Sequence, residues 1–136
     1  MEILLKGRVR VHPTEDLSKV KRAVENIFTH LSLRVPQEKD GETLVFESRE
    51  AEALLKFRNI LKQERIRDAA RRIMREGKLN GRVVFYLNKQ AAYAGRLSFC
   101  EPLGESPLGP IEVEIECGEP EEVIRWLTGG ASEETS

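Results

Sequence analysis

Residues 81–99, GRVVFYLNKQAAYAGRLSF, constrain the fold more than any other stretch of this 136-residue chain. Val83, Phe85 and Leu87 alternate with Arg82, Val84 and Tyr86, the period-two pattern of a strand with one face on a core and the other open to solvent or a partner. The polar triplet Asn88-Lys89-Gln90 follows at the strand exit, and Gly95 marks a second turn ahead of a short second strand, Arg96 to Phe99. The triplet reads either as an ordinary turn, where such residues collect, or as the edge of a functional surface.

The same period appears at the start of the chain. Leu5, Gly7, Val9 and Val11 alternate with Lys6, Arg8, Arg10 and His12, which predicts a first strand with a basic face, suited to a phosphate backbone or simply to solvent. HPTED, residues 12–16, then supplies a turn with Asp16 or Thr14 as N-cap, and Leu17, Val20, Val24, Ile27, Phe28 and Leu31 recur at helical spacing. Strands are expected at Leu31–Val35 and Thr43–Glu47, with Asp40-Gly41 as a hairpin-type turn between them.

Ser48 is a candidate cap for a helix whose apolar stripe is Ala51, Leu54, Leu55 and Leu61, with a bend expected near Gln63. The next segment, residues 63–78, places Ile66, Ala69, Ala70, Ile73 and Met74 on one helical face. Ile111, Val113 and Ile115 alternate with Glu112, Glu114 and Glu116, a strand with an acidic face. The preceding ESPLGPI, residues 105–111, reads as a rigid turn. Gly118 and Pro120 introduce a last short helix carrying Val123, Ile124, Trp126 and Leu127, with Trp126 as a lid on the core. The pattern predicts a single domain of mixed strands and helices over residues 1–128. Residues 129–136, GGASEETS, are expected to form a disordered tail.

No apolar run approaches the roughly 18 residues that span a bilayer, and MEILLKGRVRV acquires charge too soon for a signal peptide, so a cytoplasmic location without membrane attachment is expected. Cys100 and Cys117, with only His12 and His30 beside them, spell no zinc or disulfide framework. Two buried free thiols and no cofactor are the expectation.

A net charge of −1 hides an uneven distribution. Residues 56–96 carry 12 basic and 3 acidic side chains, a net of +9, whereas residues 97–136 carry 1 and 10, a net of −9. Arg67, Arg71 and Arg75 form an i, i+4 row on the predicted helix that Lys78 extends, and Arg65 and Arg72 lie beside it. Like charges at this spacing repel by a few tenths of a kcal/mol per pair in an isolated helix, so a polyanion or the acidic C-terminal third must compensate. Both remain open on sequence alone.

Four segments together carry a resemblance: HPTED, QERIRDAAR, FYLNKQAA and SPLGPIEV. Over nearly the whole chain except the tail, the sequence resembles a small archaeal family of uncharacterised proteins predicted to bind RNA. That resemblance implies an α+β fold, a two-layer sandwich with a mostly antiparallel sheet packed on one side by helices, similar to the large-subunit ribosomal protein that binds near 5S RNA and also compared with the double-stranded-RNA-binding domain, and it implies RNA as partner. It supplies no site residues. Those follow from charge and position: Arg65, Arg67, Arg71, Arg72, Arg75 and Lys78 on the helix, and Asn88, Lys89 and Gln90 at the strand exit, reading duplex or structured RNA through phosphates and shape. Tyr86 and Tyr93 are base-stacking candidates, with core packing as the alternative. A homodimeric structural or interaction protein, its basic and acidic surfaces satisfying each other, is the rival reading. An enzyme would need a carboxylate or metal site on Glu112, Glu114 and Glu116, and neither catalysis nor a metal is expected.

Overall fold

The computed structural model describes residues 2–38, 41–102 and 109–129. The chain runs β1 (Ile3–Val11), α1 (Leu17–Glu25), β2 (Ser32–Arg34), β3 (Gln37–Glu38), β4 (Gly41–Ser48), α2 (Leu55–Gln63), α3 (Arg67–Glu76), β5 (Lys78–Leu79), β6 (Arg82–Asn88), α4 (Lys89–Tyr93), β7 (Pro110–Cys117) and α5 (Pro120–Ile124). A 3-10 turn, Ala51–Leu54, leads into α2, and a π turn, Arg125–Gly129, prolongs α5. The strands form one antiparallel sheet in the order β2-β4-β1-β7-β6-β5, and β3 pairs with the start of β4. This is the α+β architecture the sequence predicts, and none of its described helices is long and apolar enough to cross a membrane.

The alternation seen in sequence sets the register. On the covered face Val9 lies between Leu44 and Ile111, Gly7 between Phe46 and Val113, and Leu5 between Ser48 and Ile115. Val83, Phe85 and Leu87 continue these rows into β6. Each such aliphatic or aromatic side chain contributes about 1.5–3 kcal/mol when fully buried. A run of aromatic contacts crosses the core from Phe46 through Phe28, Phe57 and Phe85 to Phe99, with centroids 5.4–5.7 Å apart. Gly7 is required here, because a Cβ at that position would overlap the Phe46 ring. Gly77 plays a similar part at the C-terminus of α3, where a Cβ would meet the Val84 carbonyl oxygen. Its own carbonyl accepts from Val84 N at 3.0 Å, which ties α3 directly to β6.

Several elements depart from the sequence reading for identifiable reasons. The triplet 88–90 is no turn: Asn88 Oδ1 accepts from Ala91 N at 2.9 Å and caps α4, and two alanines follow, the residues that favour helix most. Arg96–Phe99 forms no strand, only an isolated bridge from Phe99 to Leu87, because the chain leaves α4 through Gly95 at φ +74° and meets β6 at a single point. Helix α1 stops at Glu25, earlier than its apolar spacing predicts, and Ile27 and Phe28 reach the core from the following turn. Ser48 ends β4, and its hydroxyl accepts from Glu50 N without capping the 3-10 turn. Leu55 is 42% exposed, and Phe57, Ile60 and Leu61 make the inward stripe of α2. The bend near Gln63 is present, with Arg65 in a left-handed conformation at φ +59°. Cys100 and Cys117 are thiols outside any disulfide but only half-buried, and burial raises the Cys117 thiol pKa. Gly129 closes the final turn and so belongs to the folded unit. Asp40, most of the 105–111 segment and residues 130–136 lie outside the described residues.

Candidate nucleic-acid interface

Helix α3 forms where Ala70 and Met74 can bury, with Ile66 and Ile73 packed at the margin of the core. Its arginine row is real, and much of it is already engaged by the C-terminal segment. Arg67 Nη1 donates to the Gly129 carbonyl at 3.2 Å, and Arg71 donates to Thr128 Oγ1 and to the Thr128 carbonyl at 3.2 and 3.1 Å. Arg71 also pairs with Asp68 at 3.0 Å. Arg75 Nε donates to Glu121 Oε2 at 2.9 Å, and Lys78 Nζ reaches the other oxygen of that carboxylate at 3.2 Å. The Arg75 hydrogen bond, reinforced by Lys78, holds the Glu121 carboxyl pKa below its ordinary range. Lys78 does not extend the helix as the spacing predicts, because Gly77 ends α3 and Lys78 starts β5.

What α3 leaves to solvent is therefore narrower than the sequence row. Arg72 is exposed, Arg65 is exposed on the turn before the helix, and neither makes an ion pair among the described residues. Arg75 and Lys78 keep nearly half of their side-chain surface open, at 48% and 41%. Arg71, Arg72 and Arg75, with Asp68 and Glu76, line a shallow depression of about 460 Å³ on this surface. Guanidinium groups already held on one side need less ordering to meet a phosphate on the other.

The strand exit contributes differently than predicted. Lys89 is wholly buried; its ammonium donates to the Arg10 carbonyl at 2.7 Å and to Glu15 Oε1 at 2.9 Å. It is thereby removed from any surface contact, and its position as the first residue of α4 explains why: the cap turns it inward against β1. Glu15 also accepts from His12 N at 2.8 Å and from the Tyr93 hydroxyl at 3.2 Å. The HPTED turn thus closes over α4. Burial, with the Glu15 charge adding to it, pushes the Tyr93 phenol up to about 12, so Tyr93 is a packing residue of this cluster. Asn88 is half-buried and committed to capping. Of the triplet only Gln90 is exposed.

On the uncovered sheet face the acidic strand does meet a basic one. Lys6 bridges Glu116 at 2.6 Å and Glu114 at 3.6 Å, and Arg82 lies 3.7 Å from Glu114 on the opposite side. The Glu116 hydrogen bond raises the Lys6 pKa, and the same contact lowers that of Glu116. Trp126 is a lid, as predicted, half-buried against the core with the Arg58 guanidinium 5.4 Å above its ring. Sequence reading missed the roles of Glu121 and Thr128, whose pairing with α3 lies 46 and 57 residues away and leaves no local signal.

A family model described as RNA binding matches residues 5–117. A UPF0201 protein of Sulfurisphaera tokodaii is 45% identical over 122 residues, covering 88% of this chain and 83% of the relative. Among solved structures, the crystal structure of a UPF0201 protein from Methanococcus jannaschii superposes with a TM-score of 0.79 at 30% identity, over 94% of this chain and 99% of that one. A DUF54 protein from Methanothermobacter thermautotrophicus, at 19% identity and a TM-score of 0.62 over 94% and 99% of the two chains, is similar in fold alone.

Proposed function

The chain belongs to the UPF0201 family, and from that membership we propose that it is a non-enzymatic RNA-binding protein that takes duplex or structured RNA through backbone phosphates. The observation that carries the reading is the exposed edge of α3, where Arg65 and Arg72 stand without ion pairs among the described residues beside the half-open Arg75 and Lys78. A-form RNA suits such a surface, since its deep major groove is closed to side chains and its phosphates and 2′-hydroxyls are what a protein reaches. Arginine forks match phosphate oxygens in pairs.

The test is a salt titration of binding to an RNA duplex by the wild type and by an Arg65→Gln, Arg72→Gln variant. Each lost phosphate contact reduces the slope of log K against log salt by about 1, so a slope shallower by about 2 supports this surface. An unchanged affinity and slope in the variant removes α3 from the interface.

The second reading is a homodimer or interaction module. What favours it is the sheet face that no described helix covers, with a shallow groove of about 250 Å³ lined by Lys6, Arg8, Thr43, Val45, Glu112 and Glu114. Its mixed charges suit a self-complementary contact. Sedimentation of the purified protein tests the homodimer: a concentration-independent monomer ends that form of the reading.

A further inference from the structure

We infer that the RNA surface does not end at α3 but continues as a belt of exposed cations across the helical layer, from Arg72 and Arg65 through Arg96 to Arg22 and Lys19. This rests on the RNA reading above and names contacts that neither the family description nor the arginine row contains. Four hydrogen bonds place the belt. Glu64 Oε1 accepts from Leu97 N at 3.5 Å, which sets Arg65 and Arg96 as sequence neighbours of one contact. Asn26 Nδ2 donates to the carbonyls of Ala92 and Tyr93 at 2.9 and 3.2 Å, fixing the C-terminal end of α1 beside α4 and the turn that carries Arg96. Lys56 Nζ donates to the Glu25 carbonyl at 3.0 Å and joins α1 to α2 across the same surface. Arg22 lies one turn before Asn26 and Lys19 two turns before it, on the flank of α1 that faces α4.

Lys19, Arg22, Arg65, Arg72 and Arg96 are exposed and make no ion pair within 4 Å among the described residues. Carboxylates stand near them as well: Asp16 interacts electrostatically with Lys19 and Arg22, and Glu76 is exposed one turn after Arg72. Glu64 accepts from Leu97, Asp16 accepts from Ser18 N and Oγ at 3.0 and 2.9 Å, and Asp68 pairs with Arg71. Glu25 is the exposed carboxylate that remains on α1. On the sheet face Lys6 and Arg82 are compensated by Glu114 and Glu116, whereas Arg8 and Arg34 are exposed there without an ion pair among the described residues. Spread over α1, the α4 turn and the α2–α3 junction, the belt has the chemistry of a track for a polyphosphate backbone rather than a pocket for a single anion.

The experiment compares the wild type with three double variants of equal charge change, titrated with salt against a blunt RNA duplex of mixed sequence: Arg22→Gln, Arg96→Gln in the belt; Arg65→Gln, Arg72→Gln on the α3 side; and Arg8→Gln, Arg34→Gln, which flank Val45 in one row of the sheet face. Circular dichroism melts confirm that all are folded. The belt variant is expected to lose affinity with a salt slope shallower by about 2, while the sheet variant keeps the wild-type slope. If the belt variant binds as the wild type does and only the α3 variant is impaired, the belt is overturned and the RNA reading stands. Equal losses in the belt and sheet variants overturn the belt in favour of diffuse electrostatics. A wild type that binds no RNA at physiological salt overturns both.

Discussion

The Lys89 ammonium and the Glu15 carboxylate meet 2.9 Å apart with the lysine side chain wholly out of solvent, joining the strand exit of β6 to the turn that opens α1. Removing one member of a buried pair leaves the other uncompensated, at a cost of about 3–5 kcal/mol. Lys89→Ala is therefore expected to lower stability in urea denaturation by that amount while the folded variant binds RNA as before. A Glu15→Gln, Lys89→Met double variant is expected to be less destabilised than the sum of its single changes, because no buried charge remains. Additive losses would mean that the pair is not a unit.

Tyr93 donates to the same carboxylate, and its phenol is pushed up to about 12. The folded state therefore holds this proton more tightly than the unfolded chain, whose tyrosine titrates near 10. The resulting stability is fully present below pH 10 and is lost as pH rises toward 12. In a Tyr86→Phe background, ultraviolet titration should show a single phenol ionising near 12, and Glu15→Gln should lower it only in part, since burial is the larger cause.

Glu121 has the opposite sign. Its carboxyl is depressed from an ordinary 4.5 by Arg75 first and Lys78 second. Its contribution is present above that ordinary value and fades as pH falls through the depressed one. Because the pair is substantially exposed, Glu121→Gln should cost less than about 1 kcal/mol. The same change frees Arg75 and Lys78 from their carboxylate, so RNA binding at low salt should tighten and its salt slope steepen. Weaker binding would mean that Glu121 positions these cations rather than competing for them.

Gly7 has no space for a side chain because the Phe46 ring lies across it. Overpacking of this kind costs roughly 1–3 kcal/mol. Gly7→Ala should fall in that range by chemical denaturation, and adding Phe46→Leu should recover part of the loss. A neutral Gly7→Ala would contradict the packing described for the centre of the sheet.

The sheet was legible because its signal is local and periodic. Val83, Phe85 and Leu87 name the buried face of β6, and the Glu112, Glu114, Glu116 alternation names the outer face of β7. Helix ends were less so. Ile27 and Phe28 keep the helical spacing of α1 although the helix has ended, since a buried turn satisfies the same apolar pattern. The site was half legible. The row Arg67, Arg71, Arg75 is a local feature, but its partners Gly129, Thr128 and Glu121 come from the far end of the chain. Lys89 shows the limit most clearly: charge and a loop-like context suggest a surface lysine, and only the capping by Asn88 and the distant Glu15 turn it inward.

The most direct test of the RNA reading is competition among an RNA duplex, single-stranded RNA and a DNA duplex of matching sequence for the purified protein, carried from about 50 to about 200 mM salt. Recognition of A-form phosphates and 2′-hydroxyls predicts that the RNA duplex, or a folded RNA, is held at the upper end of that range after the DNA duplex has been released. Equal binding to all three that vanishes together as salt rises would contradict it and leave an interaction protein whose basic surface meets another protein.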